Sequence, residues 1–167
     1  AQLTIFTSFS SKTVPVMSSV SVVMPVYTHS AIFRSICTPS SWSSSQIISA
    51  AAALSPVPVG IDLEFARADR DAEKIAARFF TEEERKEWSR LPTADHFFAL
   101  WTRKEARAKL HGNGLLSGER SDRVFFLTYR LLTPNGTAFV SLATEERTER
   151  VEWILPSQNI TVEPYQQ

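Results

Sequence analysis

The chain has 167 residues, 43% of them hydrophobic, and its 18 lysines and arginines balance its 18 aspartates and glutamates. This length allows one domain with a full core or two small ones, and zero net charge excludes bulk attraction to nucleic acid or to an anionic membrane. The single cysteine, Cys37, excludes an internal disulfide and a cysteine-rich metal site.

Residues 1–58 are rich in serine and nearly uncharged, with two basic residues and no acid. Strand-like fragments occur at residues 3–6 and 20–27, punctuated by serines and prolines. Between residues 43 and 55 a serine-rich stretch enters an apolar run, and periodicity leaves this run open between strand and helix.

An apolar run at residues 14–26 is interrupted by Pro15 and Pro25. It is too short and too broken to span a bilayer. No basic stretch precedes it, which argues against a secretory signal, so we expect a cytosolic protein that does not insert into membranes.

The segment VGIDLE at residues 59–64 predicts a short strand. Side chains two apart in a strand share a face, so Asp62 and Glu64 lie on one side while Ile61 and Leu63 bury the other. Two adjacent carboxylates repel each other, and without compensation one of them would retain its proton. A bound cation usually compensates the repulsion between two such carboxylates.

Two short helices are predicted after this strand. Asp69 and Asp71 offer N-caps for the first. The second begins after Thr81 and is stopped by Pro92. Thr81 with Glu84 fits the capping box, in which the acid three residues later reaches back to the N-cap amide.

A third, longer helix is predicted over about residues 94–112. Glu105 lies on its aromatic stripe, and an acid placed among apolar groups needs a partner. Lys109 follows one turn later, which is also the spacing of an ordinary i, i+4 pair. His96 lies on the side opposite Glu105 and is predicted to be exposed, whereas His111 caps the last carbonyls or reaches a ligand.

Asp62, Glu64 and Glu105 form a candidate metal site. Carboxylate oxygens suit a hard cation such as Mg²⁺, which binds a few carboxylates together with water and substrate phosphates. Lys104 and Lys109 are placed to meet such phosphates. The alternative is that all of these charges belong to a solvated surface.

Beyond residue 115 the pattern changes to strands at residues 124–132, 138–143 and 151–155. The sequence Pro134-Asn135-Gly136 predicts a hairpin between the first two. A strand followed by helices and then by antiparallel strands indicates an α+β fold.

Three segments, VGIDLE, RFFTEEE and FALWTRKEARAKLHGNGL, occur in an order and spacing that resemble the phosphopantetheinyl transferases, specifically the surfactin-synthetase-activating type. The resemblance implies an α+β fold in which a small antiparallel sheet packs against a long helix. It also implies two parts, residues 1–58 as the remnant of a first half and residues 59–167 as the transferase-like domain.

The reaction implied by this resemblance is Mg²⁺-dependent transfer of the 4'-phosphopantetheine arm of coenzyme A to a serine of an acyl or peptidyl carrier protein. In this scheme Asp62, Glu64 and Glu105 hold the magnesium ion. Lys109 and Lys104 bind coenzyme A and stabilise the charge that develops on its pyrophosphate.

The resemblance also implies that Glu105 or Glu84 accepts the proton of the carrier-protein serine hydroxyl. Ser44 and Ser45 stand where the family has a serine-histidine pair that contacts coenzyme A. Because Ser45 replaces the histidine, it can hydrogen-bond a phosphate but cannot add positive charge. The alternative for this segment is a serine-rich turn.

Members of the resembled type have two similar halves, and the first half supplies basic residues to coenzyme A. Because few basic residues precede the strand at residues 59–64, two possibilities follow. One possibility is that a second copy in a homo-oligomer supplies the missing part of the coenzyme A site, as in the holo-acyl-carrier-protein synthase type. The other is that the chain is a degenerate relative that binds carrier protein without catalysis. A third hypothesis is an unrelated α+β domain, in which Asp62 and Glu105 lie far apart.

Overall fold

The fold is that of a computed structural model, which describes residues 2–10, 48–55, 57–68, 70–112, 123–148, 150–155 and 158–166. The elements within these residues are β1 (Gln2–Ser10), β2 (Ile48–Leu54), β3 (Val59–Phe65), α1 (Ala72–Phe79), α2 (Glu82–Arg90), α3 (Ala94–His111), β4 (Phe125–Thr133), β5 (Gly136–Thr144), β6 (Arg150–Ile154) and β7 (Thr161–Pro164). None of the three helices combines the length and the apolar character that crossing a membrane requires.

Four strands form an antiparallel sheet in the order β3-β5-β4-β7, and the long helix α3 packs on one face of it. The predicted α+β fold, with a small antiparallel sheet against a long helix, is confirmed. The predicted hairpin is also confirmed, because β4 and β5 are joined through Pro134 and Asn135 and pair from Thr133 and Gly136 onward. Strand β7 was not predicted.

A second sheet has the order β2-β1-β6. Strand β1 confirms the predicted strand at residues 3–6, and the ambiguous run at residues 43–55 contains a strand, β2, that pairs antiparallel with β1. The expectation of antiparallel strands is wrong for β6, which pairs parallel with β1. Hydrophobic patterning indicates that a segment is a strand but does not indicate its partner. The predicted strand at residues 20–27 and Cys37 lie outside the described residues.

Strand β3 separates two cores, as its alternation predicts. Ile61 and Leu63 are buried between the two sheets, where they pack with Val140 and Leu142 of β5. The alternate positions of β3 face α3 instead. This arrangement places Asp62 and Glu64 on the helix side of the sheet.

Gly60 allows α3 to lie directly on β3. A Cβ atom built at Gly60 would lie 1.9 Å from the carbonyl oxygen of Ala106 and 2.6 Å from the amide nitrogen of Leu110. No other residue type fits this distance. The contact brings the last two turns of α3, which carry Glu105 and Lys109, alongside Asp62.

Aromatic side chains anchor the first half of α3. Phe97, Phe98 and Trp101 are buried together with Phe80, which follows α1, and Phe139 of β5. The rings of Phe97 and Trp101 are nearly parallel, with centroids 6.3 Å apart. This cluster fixes the helix against the sheet through the apolar area that it removes from water.

A chain of buried hydroxyl groups continues this attachment. Thr102 Oγ1 of α3 lies 2.8 Å from Ser141 Oγ of β5, which lies 3.0 Å from Thr128 Oγ1 of β4. Arg103 Nε donates to Thr128 Oγ1 at 3.0 Å. Because Ser141 pairs with Asp62 across the sheet, these bonds fix the helix beside the strand position that carries the acid.

The predicted N-caps at Asp71 and Thr81 are confirmed. The Asp71 side chain accepts a hydrogen bond from the amide of Lys74. Thr81 and Glu84 form the capping box, with Thr81 Oγ1 accepting from the Glu84 amide at 3.2 Å. Helix α3 ends at His111, and its C-cap residue Gly112 has a left-handed φ of 67°. The other predicted cap, Asp69, lies outside the described residues.

The prediction that His96 is exposed is wrong. His96 is only 3% exposed, and its Nε2 lies 3.2 Å from the carbonyl oxygen of Glu87 in α2. Helical periodicity correctly places His96 opposite Glu105, but it cannot indicate that α2 covers that side of α3.

Candidate active site

Asp62 is the centre of the site. Its side chain is almost fully buried, and its Oδ1 accepts a hydrogen bond from Lys109 Nζ at 2.6 Å across 47 residues of sequence. Its other oxygen, Oδ2, is buried with no hydrogen-bond partner in the described part of the chain. A buried carboxylate oxygen is normally satisfied, so this atom indicates a position suited to a further donor or cation.

Glu105 and Glu64 lie within electrostatic reach of Asp62. Burial raises the pKa of Asp62 and the nearby charge of Glu64 raises it further, against the opposing effect of Lys109. Burial also raises the pKa of Glu105, with further increases from Asp62 and Glu64. The hypothesis that Asp62 and Glu105 lie far apart is therefore wrong.

Glu64 is neutralised by arginine in this structure. Its Oε2 accepts a hydrogen bond from Arg70 Nη1 at 3.0 Å, and Arg67 Nη2 lies 3.9 Å from the same oxygen. Arg70 was not among the predicted site residues. Its position directly after a strand that carries two acids is the sequence feature that could have indicated it.

Glu84 caps a helix and binds a site lysine with the same atom. Its Oε2 accepts from the Thr81 amide at 2.8 Å and from Lys104 Nζ at 2.9 Å. The predicted cap is therefore observed, and the role of Glu84 as a site residue stays a prediction. The Lys104 side chain is 10% exposed and is held by Glu84 of α2.

Comparison of the sequence with known proteins assigns the chain to a family. Residues 58–159 match the model of the 4'-phosphopantetheinyl transferase superfamily. The chain belongs to this superfamily. It is also 42% identical over 60 residues to 4'-phosphopantetheinyl transferase HetI of Nostoc sp. (strain PCC 7120), a match that covers 34% of the chain and 25% of HetI.

The part of the chain that matches the superfamily contains every predicted site residue except Ser44 and Ser45. These two serines lie outside the described residues. The side chain of His111, at the end of α3, is 7% exposed, and its Nδ1 lies 3.7 Å from Glu145 Oε1. The match identifies the superfamily without distinguishing the surfactin-synthetase-activating type within it.

The donor chemistry of this superfamily member fits a hard divalent cation. Asp62, Glu64 and Glu105 offer only carboxylate oxygens, and burial of two of these acids favours an added positive charge. Among the described residues, no three acid, histidine or cysteine side chains are arranged to hold a metal ion. Lys109 and Arg70 neutralise Asp62 and Glu64 instead, so metal binding requires these side chains to rearrange and stays a prediction.

The raised pKa of Glu105 predicts a pH-dependent stability. The folded chain retains the Glu105 proton above the ordinary pKa of 4.5, so ionisation of this group destabilises the fold as pH rises from 4.5 through the raised value. Glu105→Gln removes this penalty. Its unfolding free energy, measured by urea denaturation with a chelator present, should exceed that of the wild type most at neutral pH.

The advantage of Glu105→Gln should shrink as pH falls and should vanish below pH 4.5, the ordinary pKa of the side chain. Glu83→Gln, on the exposed side of α2, is the matched control. A difference between Glu105→Gln and wild type that stays constant with pH would contradict the burial of a charged carboxylate at this position.

Proposed function

We propose that the chain transfers the 4'-phosphopantetheine arm of coenzyme A to a serine of an acyl or peptidyl carrier protein, with Mg²⁺ as cofactor. One observation carries the proposal. Asp62 of β3 and Lys109 of α3, 47 residues apart, form a partly buried ion pair next to Glu105 and inside the superfamily match, and the second Asp62 oxygen has no hydrogen-bond partner among the described residues.

The reaction is a displacement at phosphorus. The serine oxygen of the carrier protein bonds to the β-phosphorus of coenzyme A, the bond from this phosphorus to the bridging oxygen breaks, and adenosine 3',5'-bisphosphate leaves. Since the chemistry needs placement and charge neutralisation, no covalent intermediate with the protein is required.

The side chains of the site divide these tasks. Glu105, beside Asp62, is assigned the proton of the serine hydroxyl, whereas Glu84 already accepts hydrogen bonds from Thr81 and Lys104. Lys109 and Lys104 stabilise negative charge on the pyrophosphate and on the leaving group.

When bound by Asp62, Glu64 and Glu105, magnesium supplies the positive charge that offsets the carboxylates and the pyrophosphate together. We assign the chain to the surfactin-synthetase-activating type on the three segments at residues 59–64, 78–84 and 98–115. Assembly into a homo-oligomer and a cytosolic location stay predictions.

The deciding experiment is incubation of the protein with coenzyme A, Mg²⁺ and an apo carrier protein, followed by intact mass spectrometry of the carrier. The carrier should gain one phosphopantetheine group. A carrier whose acceptor serine is replaced by alanine, and a reaction with a chelator, are the controls. No mass gain on either acyl or peptidyl carriers would refute the proposal.

A noncatalytic carrier-binding protein is the second candidate. The observation in its favour is that Lys109 and Arg70 neutralise the acids that a metal would otherwise occupy. It predicts binding of carrier protein without binding of coenzyme A or Mg²⁺. Calorimetric titrations with carrier protein, with coenzyme A and with Mg²⁺ distinguish the two functions.

A further inference from the structure

Arg70 is a loop residue held in place by two regular elements. Its Nη1 donates to Glu64 Oε2 of β3 at 3.0 Å. Its guanidinium carbon lies 5.6 Å from the centre of the Trp101 ring of α3. Trp101 belongs to the buried aromatic cluster, so the cation lies against a rigid surface, which favours one orientation of its plane.

Arg67 provides an internal comparison. It approaches the same Glu64 oxygen, but at 3.9 Å and with its side chain 61% exposed, and such surface pairs contribute little. The Arg70 side chain is 26% exposed and also lies close enough to Glu105 to oppose the rise in the pKa of that acid. Of the two arginines, Arg70 is therefore the one built into the site.

The ion pair with Glu64 uses a small part of the Arg70 hydrogen-bonding capacity. A guanidinium group has five N–H donors in one plane, and the hydrogen bond to Glu64 employs one of its nitrogens. Paired donors of this kind match phosphate oxygens in a bidentate arrangement, which a lysine cannot reproduce. The partial exposure of the side chain leaves a route for an anion to approach.

The acids of this cluster outnumber the cations that pair with them, so the charge of Arg70 becomes available to an anion when a bound cation compensates the acids. Asp62, Glu64 and Glu105 face two cations, Lys109 and Arg70, around one cluster. The arginine keeps its charge at every physiological pH, so it remains a cation when Glu64 is engaged elsewhere.

We propose that Arg70 is a binding residue for the pyrophosphate of coenzyme A, held ready by Glu64 and by the face of Trp101. This inference rests on the proposed function and adds to it a cation outside the lysines of α3. It makes Arg70 a determinant of coenzyme A affinity.

The test compares wild type, Arg70→Gln and Arg67→Gln by calorimetric titration with coenzyme A and, separately, with inorganic pyrophosphate, each with and without Mg²⁺. Because Arg70→Gln loses a charge-assisted bidentate contact, its affinity for both ligands should fall at least about tenfold. Arg67→Gln should stay within about twofold of wild type, because its pair with Glu64 is exposed. In the transfer assay, Arg70→Gln should raise KM for coenzyme A more than it lowers kcat.

Arg70→Lys keeps the charge and is the second variant, in case glutamine destabilises the loop. Its affinity for pyrophosphate should fall by a smaller factor than that of Arg70→Gln. Equal pyrophosphate affinities for Arg70→Gln and Arg67→Gln would overturn the inference, as would wild-type protein that binds no pyrophosphate. Arg70-dependent pyrophosphate binding by a protein that modifies no carrier would support the anion site and refute the transferase proposal.

Discussion

Asp62→Asn is expected to reduce carrier modification by at least about a hundredfold, comparable to removing one preorganised electrostatic group from an active site. The amide matches the carboxylate in size, so the packing against α3 is retained. It removes the charge that pairs with Lys109 and the second oxygen that has no partner among the described residues. The rate of mass gain on the carrier protein measures the effect.

Glu73→Gln is the matched control for this substitution, because Glu73 is an exposed acid in the first turn of α1. It should leave the transfer rate unchanged. Circular dichroism of Asp62→Asn separates loss of chemistry from loss of fold. A correctly folded variant that retains more than about a tenth of the wild-type rate would remove Asp62 from the proposed site.

Gly60→Ala should be the most destabilising small substitution that the described structure indicates. The new methyl group would overlap the Ala106 carbonyl and the Leu110 amide, both of them backbone groups that cannot rotate away. Helix α3 would have to move off β3, at a cost of about 3 kcal/mol or more in unfolding free energy. Urea denaturation measures this cost.

Gly136→Ala serves as the comparison for Gly60→Ala. Its added methyl group meets nothing within 4 Å, but its φ of 121° disfavours any side chain, so a cost of about 1–3 kcal/mol is expected from backbone strain alone. If Gly60→Ala loses no more stability than Gly136→Ala, the close approach of α3 to β3 is incorrect.

Features that depend on neighbouring residues were predictable from the sequence. The capping box of Thr81 and Glu84, the N-cap at Asp71 and the hairpin at Asn135-Gly136 each follow from short-range backbone chemistry. The alternation of β3 correctly placed Asp62 and Glu64 on the side opposite the sheet-to-sheet core.

Features that depend on distant parts of the chain were not predictable in this way. The burial of His96 requires knowing that α2 lies over it. The hydrogen bond between Thr102 and Ser141 joins a helix to a strand 39 residues later. The position of Arg70 depends on the ring of Trp101, and sequence spacing carries no information about that contact.

The parallel pairing of β1 with β6 has a consequence for the order in which the protein forms during translation. Gln2 pairs with Arg150, so the ribosome must add 148 residues after Gln2 before β1 meets this neighbour. Translation proceeds at roughly 5–20 residues per second, so one edge of β1 waits on the order of ten seconds or more for its β6 partner. An unpaired strand edge is a template for association with other chains, so nascent or truncated forms lacking β6 should be the forms most dependent on chaperones.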